Sequence, residues 1–517
     1  MLGRRAKMSW RLFGAGLLAL ALCVAGRGPA RADIASDHPA AILVWPKLLV
    51  DTVNGLDTLI RLSNVSDTAI DVYCFYVNAT PICSVTGGSC FPNQLSCQAE
   101  VGGQMFLGTC IPNWQPNDFT FRLTQDQPTG WLVSQGQSTN CPFLDGVCSN
   151  DGTTTCRRNN QCGVGNRCVL PPCFPLDATS VPSPGSTTNV GAIPLSPEDP
   201  FIGELKCIAV DENGQPVARN DLIGDATIGK QFAPDGQRME LLGYNAVGIP
   251  AIPGKGNRDH TLVLGGSADA AEYEGCPNIL ILDHFFDGAV DPVLNNVCVN
   301  ATSCSLSGVA CTTDAECLTN VCLGGSCTVS HTLCGGDADC QNTCDLASNT
   351  CTLTDTHCVS DEECVSSDYE VRLATDLTLV PCTQDFEGVN LDLSKTVAQF
   401  LVFNEFEQRF STSRTVDCFR EIQLSNMETN DNTRSIFSAG VAGTLTGQSR
   451  IRGVVNEDNV GVGGNTLIGI AEEFRCEGPK YQFPTCDLVD SRNTVSGAGK
   501  NLHFQGRRPQ SDFIYLP

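Results

Sequence analysis

The chain has 517 residues, with 32 Lys or Arg against 57 Asp or Glu, so its formal net charge is −25. A chain this acidic repels DNA, RNA and anionic lipid, which excludes nucleic-acid binding as an expected function. Fifty glycines, 28 prolines and only 17% charged residues favour short strands and turns over long helices, and the length predicts two to four domains.

The N-terminus has the features of an export signal. A basic head within residues 4–11 precedes the apolar stretch 12–25, and Ala30-Arg31-Ala32 offers a small-x-small cleavage site. These features predict a Sec-type signal peptide over residues 1–32 and a secreted or cell-surface protein without a transmembrane segment. A lipoprotein signal ending at Cys23 is the alternative, but Leu22 stands where a small residue is expected.

Strands dominate the predicted elements that follow. In the first β region, 33–140, strands are predicted at 41–50, 59–62, 70–77, 119–124 and 131–134, and a small cysteine insert occupies 83–110. The strands 59–62 and 70–77 are expected to pair antiparallel in a β-sandwich. Alternation within 70–77 turns Cys74 toward the core.

The chain continues with a cysteine-rich insert at 141–173, and the Pro/Ser/Thr-rich segment 174–200 predicts a linker or loop. A second β region, 201–297, contains the strongest hairpin signal, Asn213-Gly214. The cysteine-rich block 298–366 and a C-terminal β region, 367–517, complete the chain.

The predicted fold class is therefore all-β, with an antiparallel β-sandwich body (one or two sandwiches), disulfide-stapled cysteine-rich inserts and little helix. The further strands expected in the body lie at 203–210, 262–264, 278–282, 369–373, 377–380, 397–403, 416–424, 451–455 and 467–470.

Twenty-nine cysteines follow Cys23, and in an oxidising compartment most should form disulfides. Zinc is the competing interpretation, but the chain contains no Cys-x2-Cys clamp. The cysteines predicted to form structural disulfides lie in the three inserts, in even numbers: Cys83, Cys90, Cys97 and Cys110; Cys141, Cys148, Cys156, Cys162, Cys168 and Cys173; Cys298, Cys304, Cys311, Cys317, Cys322, Cys327, Cys334, Cys340, Cys344, Cys351, Cys358 and Cys364.

Seven cysteines remain in the body: Cys74, Cys207, Cys276, Cys382, Cys418, Cys476 and Cys486. Because seven is odd, we expect one free buried thiol, a bridge between body and insert, or an intermolecular bridge.

The large block repeats a unit of the form Cys-x-x-Asp-x-acid-Cys at 311–317, 334–340 and 358–364. Its acids could bind calcium, since a hard cation prefers clustered carboxylates. They could equally cap a turn beside a disulfide, and no calcium-loop pattern supports the first alternative.

These units, CTTDAEC, CGGDADC and CVSDEEC, resemble the cysteine-rich repeats of the Dickkopf N-terminal module, and 141–173 resembles them more loosely. The body, with DTLIRLSNVSDTAIDVYCFYVNA and CPNILILDHFF, looks like uncharacterised secreted bacterial β-rich proteins that carry such repeats. The resemblance implies export and a β fold and transfers no activity.

The sequence offers few candidates for catalytic or metal-binding residues. Asp283, His284 and Asp287 could form an acid-oriented general base or a metal site, and Glu405 and Glu407 would share a strand face as in some glycosidases. The chain contains neither Gly-x-Ser-x-Gly nor His-Glu-x-x-His.

Two aromatic residues and three sequons complete the set of candidates. Trp114 and Trp131 could form a sugar-stacking platform or close a core. Asn64, Asn78 and Asn300 begin Asn-x-Ser/Thr sequons.

The sequence thus predicts a secreted or surface-exposed, non-enzymatic binding or scaffold protein whose disulfide-rich inserts recognise an extracellular ligand. It predicts no catalytic residue, cofactor or metal. One alternative is a secreted hydrolase that uses His284 or Glu405/Glu407, and another is a structural component of the cell envelope.

Overall fold

The structure is a computed structural model, and it describes these residues: 34–85, 96–101, 104–112, 114–136, 146–156, 162, 166, 168–169, 193–231, 239–255, 259–266, 270–289, 291, 298–299, 302–304, 322–323, 326–327, 344–345, 350–351, 369–388, 391–427, 435–454, 466–479, 494–507 and 510–517. The predicted signal peptide and the acidic repeat units 311–317, 334–340 and 358–364 lie outside them. No described helix is long and apolar enough to cross a membrane.

The described part of the chain is nearly all β, as predicted. Its first strands are β1 (Ile42–Val50), β2 (Leu56–Asn64), β3 (Ile70–Asn78), β4 (Pro81–Cys83), β5 (Ser96–Val101), β6 (Gln104–Pro112), β7 (Gln115–Leu123), β8 (Pro128–Leu132), β9 (Gly146–Cys148), β10 (Thr155–Cys156), β11 (Cys168–Val169), β12 (Phe201–Val210), β13 (Leu222–Gln231), β14 (Met239–Asn245), β15 (Val247–Ile249), β16 (Thr261–Gly265) and β17 (Pro277–Phe285).

The remaining strands are β18 (Cys298–Val299), β19 (Ser303–Cys304), β20 (Cys322–Leu323), β21 (Ser326–Cys327), β22 (Cys344–Asp345), β23 (Thr350–Cys351), β24 (Tyr369–Pro381), β25 (Gln384–Asp385), β26 (Lys395–Asn404), β27 (Arg409–Asp417), β28 (Arg420–Gln423), β29 (Thr446–Val454), β30 (Leu467–Pro479), β31 (Thr494–Asn501), β32 (His503–Arg507) and β33 (Ser511–Tyr515). The described helices are the four-residue α1 (Ala439–Ala442) and two 3₁₀ turns, Leu391–Ser394 and Leu424–Asn426.

Five sheets form the body. Sheet A has the order β15-β1-β12-β3-β7, sheet B β14-β13-β2-β8, sheet C β16-β33-β25, sheet D β27-β26-β29-β17-β32 and sheet E β28-β24-β30-β31. All their pairings are antiparallel except β25 with β33. This arrangement resembles a five-bladed β-propeller rather than the predicted β-sandwich. The alternation in the sequence predicts which face of a strand is buried, but a sandwich and a stack of small sheets bury that face equally well.

The strands predicted at 59–62 and 70–77 do not pair with each other. They belong to β2 of sheet B and β3 of sheet A, and β3 pairs with β7 and β12. The connection between them crosses from one sheet to the other. Within it the Asn64 amide, 1% exposed, donates to the carbonyls of Thr68 at 2.7 Å and Thr124 at 2.8 Å, which stabilises this connection. The expected antiparallel pair is therefore wrong, whereas both strands are present.

The turn predicted at Asn213-Gly214 is present, but it closes only an isolated antiparallel bridge between Val210 and Pro216 and does not join two paired strands. Gly214 has φ +77° and its N–H donates to the Asp211 carbonyl at 2.9 Å. The Asp211 carboxylate accepts the Asn213 N–H at 2.9 Å, so this side chain stabilises the turn.

Disulfides join strands of the body as well as the inserts. Cys74 is fully buried, as expected from its alternation, and is bonded to Cys207, directly opposite it in the register of β3 and β12. A second bridge joins Cys276 to Cys382, and Cys476 is also disulfide-bonded. Cys418 is the free, buried thiol within the described ranges, which is one of the outcomes expected from the odd number of body cysteines.

Within the inserts, Cys148 is bonded to Cys162, and Cys83 and Cys156 are disulfide-bonded as well. The large block shows three short ladders in which cysteines stand opposite each other: Cys298 with Cys304, Cys322 with Cys327, and Cys344 with Cys351.

The buried Lys47 connects sheet A to sheet E. The Lys47 ammonium of β1 forms ion pairs with the carboxylates of Glu421 on β28 and Glu472 on β30, and both lysine and Glu472 side chains are 1% exposed. Asp376 lies beside them, because carboxylate oxygens of Asp376, Glu421 and Glu472 lie within 4.8 Å of one another. Burial acts to lower the pKa of Lys47, but the surrounding carboxylates outweigh it and raise that pKa overall.

Replacing Lys47 tests this ion pair. In Lys47→Met the buried carboxylates of Glu421 and Glu472 lose their counter-ion, so we expect the free energy of unfolding at pH 7 to fall by about 3–5 kcal/mol. Burial raises the pKa of Glu472, so protonation should make the loss smaller at pH 5. Urea unfolding followed by tryptophan fluorescence measures both values.

The matched control is Arg61→Gln, which removes an exposed ion pair with Asp225 and should cost less than about 1 kcal/mol. A loss in Lys47→Met no larger than in this control would contradict the assigned role.

Candidate binding site

The outer face of sheet D is built by strict alternation along its central strands. In β29, TGQSRIRGV, residues Ser449 and Ile451 are buried and Arg450 and Arg452 are exposed. In β26 the exposed positions include Gln399 and Leu401. Because successive side chains of a strand point to opposite faces, the polar side chains of both strands lie on one surface.

The register places these side chains in two adjacent rows. Leu401 lies opposite Arg450 and Gln399 lies opposite Arg452. On the other side of β26, Ser411 and Ser413 of β27 continue the same rows.

A cavity of about 760 Å³ lies on this surface. Its lining residues include Ile279, Gln399, Leu401, Ser411, Ser413, Arg450 and Arg452. The lining thus contains two cations, hydroxyl and amide groups, and two aliphatic side chains.

Within the described residues, neither Arg450 nor Arg452 forms an ion pair. Arg450 Nε donates to Gln448 Oε1 at 3.1 Å, and its guanidinium lies 5.3 Å from the centroid of the Phe403 ring. No carboxylate in the described ranges lies within 4.0 Å of the guanidinium nitrogens of Arg450 or Arg452. Their donors therefore remain available for a ligand.

A second cavity, of about 670 Å³, shares Arg450 with the first. Asp283, Glu405, Glu473 and Lys500 contribute its charged groups besides Arg450. Lys500 Nζ lies 2.8 Å from a Glu473 carboxylate oxygen and donates to the Asp283 carbonyl at 2.7 Å. This second cavity is therefore rich in carboxylates, whereas the first is lined by arginines.

His284 borders the second cavity, but its side chain belongs to the core and is only 3% exposed. Its Nε2 lies 2.8 Å from Oγ of Ser449, which is fully buried, and its Nδ1 lies 3.0 Å from the Phe285 carbonyl oxygen. Burial lowers the pKa of His284 to about 4. The imidazole is thus neutral at pH 7 and engaged through both nitrogens, which leaves it no position from which to act on a substrate.

The acids predicted to act with His284 do not join it. The Asp283 side chain is on the outer face, where it accepts a hydrogen bond from Gln448 Nε2 at 3.0 Å. Asp287 is 1% exposed and accepts the backbone N–H groups of Thr375 at 2.9 Å and Ser425 at 2.8 Å. The expected cluster of Asp283, His284 and Asp287 is therefore not formed.

Glu405 and Glu407 do not share a strand face, contrary to expectation. β26 ends at Asn404 and β27 begins at Arg409, so both acids lie in the connecting turn, where Glu407 has φ +59°. The Asn404 side-chain oxygen accepts the Phe406 N–H at 3.0 Å and the Gln408 N–H at 2.9 Å, which fixes the turn. Thr446 donates its hydroxyl and backbone N–H to Glu405, and these bonds lower the pKa of Glu405.

The tryptophans do not form a sugar-stacking platform. Trp131 is 3% exposed and its Nε1 donates to the Tyr76 hydroxyl at 2.7 Å, while Trp114 packs partly buried against the same core.

The asparagine side chains of two of the sequons are buried in the fold. Asn64 is 1% and Asn78 4% exposed, and the Asn78 amide donates to Glu198 at 2.6 Å. Asn300 lies outside the described residues.

In the two described clusters of potential metal ligands, the side chains already have other partners. Asp376, Glu421 and Glu472 surround the Lys47 ammonium, and in the group Cys148, Cys156 and Cys162 the first and last are bonded to each other.

The arginines of the first cavity were not predicted from the sequence. The alternation Gln448, Arg450, Arg452 places cations on the polar face of β29, but the strand predicted at 451–455 included only Arg452 of these three.

The buried His284 predicts a defined pH dependence. Because its pKa falls from 6.5 to about 4 in the folded protein, the unfolded state binds more protons between these values, and stability is lost as pH falls through this window. Asp287 acts oppositely, since burial raises its pKa to about 7 and stability is lost as pH rises toward 7.

Replacing His284 isolates the first effect. From pH 7 to pH 4, His284→Gln should gain up to about 3 kcal/mol in unfolding free energy relative to the wild type, whatever its offset at pH 7. Urea unfolding across the pH range measures this difference. His503→Gln, at an exposed position of β32, is the control, and an equal pH-dependent gain there would contradict the prediction.

Comparisons of the chain with protein-family models, with curated proteins and with solved structures found no match.

Proposed function

We propose that this is an exported, non-enzymatic binding protein and that the outer face of sheet D binds a ligand carrying carboxylates. The observation that supports this most is the pair Arg450 and Arg452, side by side in one cavity and without a carboxylate partner in the described part of the chain. A guanidinium matches a carboxylate with two parallel hydrogen bonds, which makes arginine the preferred residue for this recognition.

The neutral groups of the cavity support the same function. Gln399, Ser411 and Ser413 offer hydrogen bonds along the arginine rows, and Leu401 and Ile279 offer apolar contact. A binding site of this kind combines apolar area with a few oriented polar groups.

The net charge of the protein restricts how long an anionic ligand can be. A protein with a net charge of −25 repels a long polyanion, and salt screens this repulsion over about 8 Å at physiological ionic strength. A short acidic segment that contacts only the arginine rows therefore fits this surface better than a long anionic polymer does.

The alternative of a secreted hydrolase receives no support from its proposed residues. His284 is buried and neutral, and Glu405 and Glu407 lie in a turn.

The role of the cysteine-rich inserts remains a separate proposal. Recognition by the block 298–366 is tested by binding of that block, within the full-length protein, to cell-surface material. The alternative of a cell-envelope component is tested by self-assembly of the purified chain. The disulfides fit an extracellular or oxidising environment, which supports export.

Two arginine substitutions test the proposed surface. We expect the wild type to bind a fluorescent hexaglutamate peptide at physiological ionic strength, where salt screens the repulsion by the acidic protein, as measured by fluorescence anisotropy. Arg450→Gln and Arg452→Gln should each weaken binding tenfold or more, since a hydrogen bond to a charged group contributes about 1.5–3 kcal/mol. Arg122→Gln is the matched control, because Arg122 is a partly exposed arginine of sheet A.

Equal weakening in the Arg122 variant, or no binding by the wild type, would refute the proposal. Competition by neutral dextran as strong as by hexaglutamate would indicate a sugar-binding face instead.

A further inference from the structure

We infer that the ligand of this face is an extended peptide with separate charged ends, its acidic side chains at Arg450 and Arg452 and its basic side chains at Glu405 and Asp283. This inference rests on the proposed function of the same face and specifies its partner.

The two cavities together form a groove that follows the strands of sheet D. They share Arg450, and along β29 their lining runs from Thr446 to Arg452. These seven residues are separated by six steps of about 3.3 Å, roughly 20 Å in all, so the groove accommodates about seven residues of extended peptide.

The charges are separated along this groove. At one end Arg450 and Arg452 have no carboxylate partner within the described residues. At the other end the Asp283 and Glu405 carboxylates are bound by uncharged donors of Gln448 and Thr446, and no described cation lies within 4.0 Å of them.

The other charged groups at the acidic end are engaged. Lys500 is paired with Glu473 at 2.8 Å. The Arg409 guanidinium lies 5.7 Å from the centroid of the Phe403 ring and does not line either cavity. Asp283 and Glu405 therefore remain as the unpaired charges of this end.

The spacing and the aromatic contacts favour a peptide over a saccharide. Arg450 and Arg452 are two residues apart on one strand face, roughly 7 Å, which equals the spacing of alternate side chains in an extended peptide. Acidic side chains at positions i and i+2 can therefore meet both arginines. Phe403 is engaged by Arg409 and Arg450, so its ring is not a free platform for a sugar.

Two fluorescent heptapeptides of equal composition test the inference by anisotropy. One separates the charges, Lys-Ser-Lys-Ser-Glu-Ser-Glu, and the other interleaves them, Lys-Ser-Glu-Ser-Lys-Ser-Glu. We expect the separated peptide to bind at least tenfold more tightly, because only it can place both acids on the arginines and both lysines on the carboxylates.

The double variant Asp283→Asn/Glu405→Gln tests the acidic end. It should weaken binding of the separated peptide tenfold or more while binding of hexaglutamate stays equal or becomes tighter, since two repelling carboxylates have been removed. Glu212→Gln, in the exposed turn after β12, is the control and should change neither affinity.

The results distinguish a failure of the two-ended peptide from a failure of the binding face itself. Equal binding of the two heptapeptides, with hexaglutamate still dependent on Arg450 and Arg452, overturns the two-ended peptide and leaves the binding face intact. Binding of none of the three peptides overturns both. Displacement of the separated peptide by an oligogalacturonate more readily than by hexaglutamate replaces the peptide with an acidic saccharide.

Discussion

The fold depends on two lysines that lie in its interior and must find their counter-charges there. Lys47 of sheet A is held by Glu421 and Glu472 of sheet E. Lys206, also of sheet A, is fully buried, contacts Gln384 of sheet C and Glu204 of its own strand, and donates to the Pro381 carbonyl at 3.2 Å. Burial lowers the pKa of Lys206 and raises that of Glu204, so each group tolerates the interior only beside the other. Because a buried charge without a partner is very costly, these contacts favour the packing that brings the lysines and their partners together.

Sheet D carries the candidate binding face because its inner side is fixed by an apolar core shared with sheet E. Gly447 shows how closely the layers approach: a Cβ there would lie 2.5 Å from the Phe286 ring and 3.0 Å from the Phe403 carbonyl oxygen. The His284 ring packs edge-on to Phe286 and contacts Phe437, and it bonds Ser449 on the strand of the arginines. His284, the candidate base of the hydrolase alternative, thus helps to hold β29 in place, and the opposite face of that strand presents Arg450 and Arg452. Rigid presentation lowers the ordering cost of binding.

The local patterns of the sequence predicted strands well and their partners poorly. The alternation in 70–77 correctly placed Cys74 in the core, and Asn213-Gly214 correctly predicted a turn, because both signals act over a few residues. The pairing of β1 with β12 and β15 depends on contacts between residues about 150 to 210 positions apart, which no local pattern encodes. For the same reason His284 was considered as a base: the sequence shows Asp283 beside it, whereas the strand turns the two side chains to opposite faces. Arg450 and Arg452 become a site only when β26 and β27 lie next to them.

The ion pair between Lys47 and Glu472 joins residues 425 positions apart in the chain. During synthesis, the N-terminal strands therefore emerge long before the carboxylates that neutralise their interior charge. A fragment that stops before the cysteine-rich block would lack these carboxylates. Its Lys47 ammonium would therefore remain hydrated, and its core would stay incomplete. The protein should accordingly complete its interior only once its last strands have been synthesised.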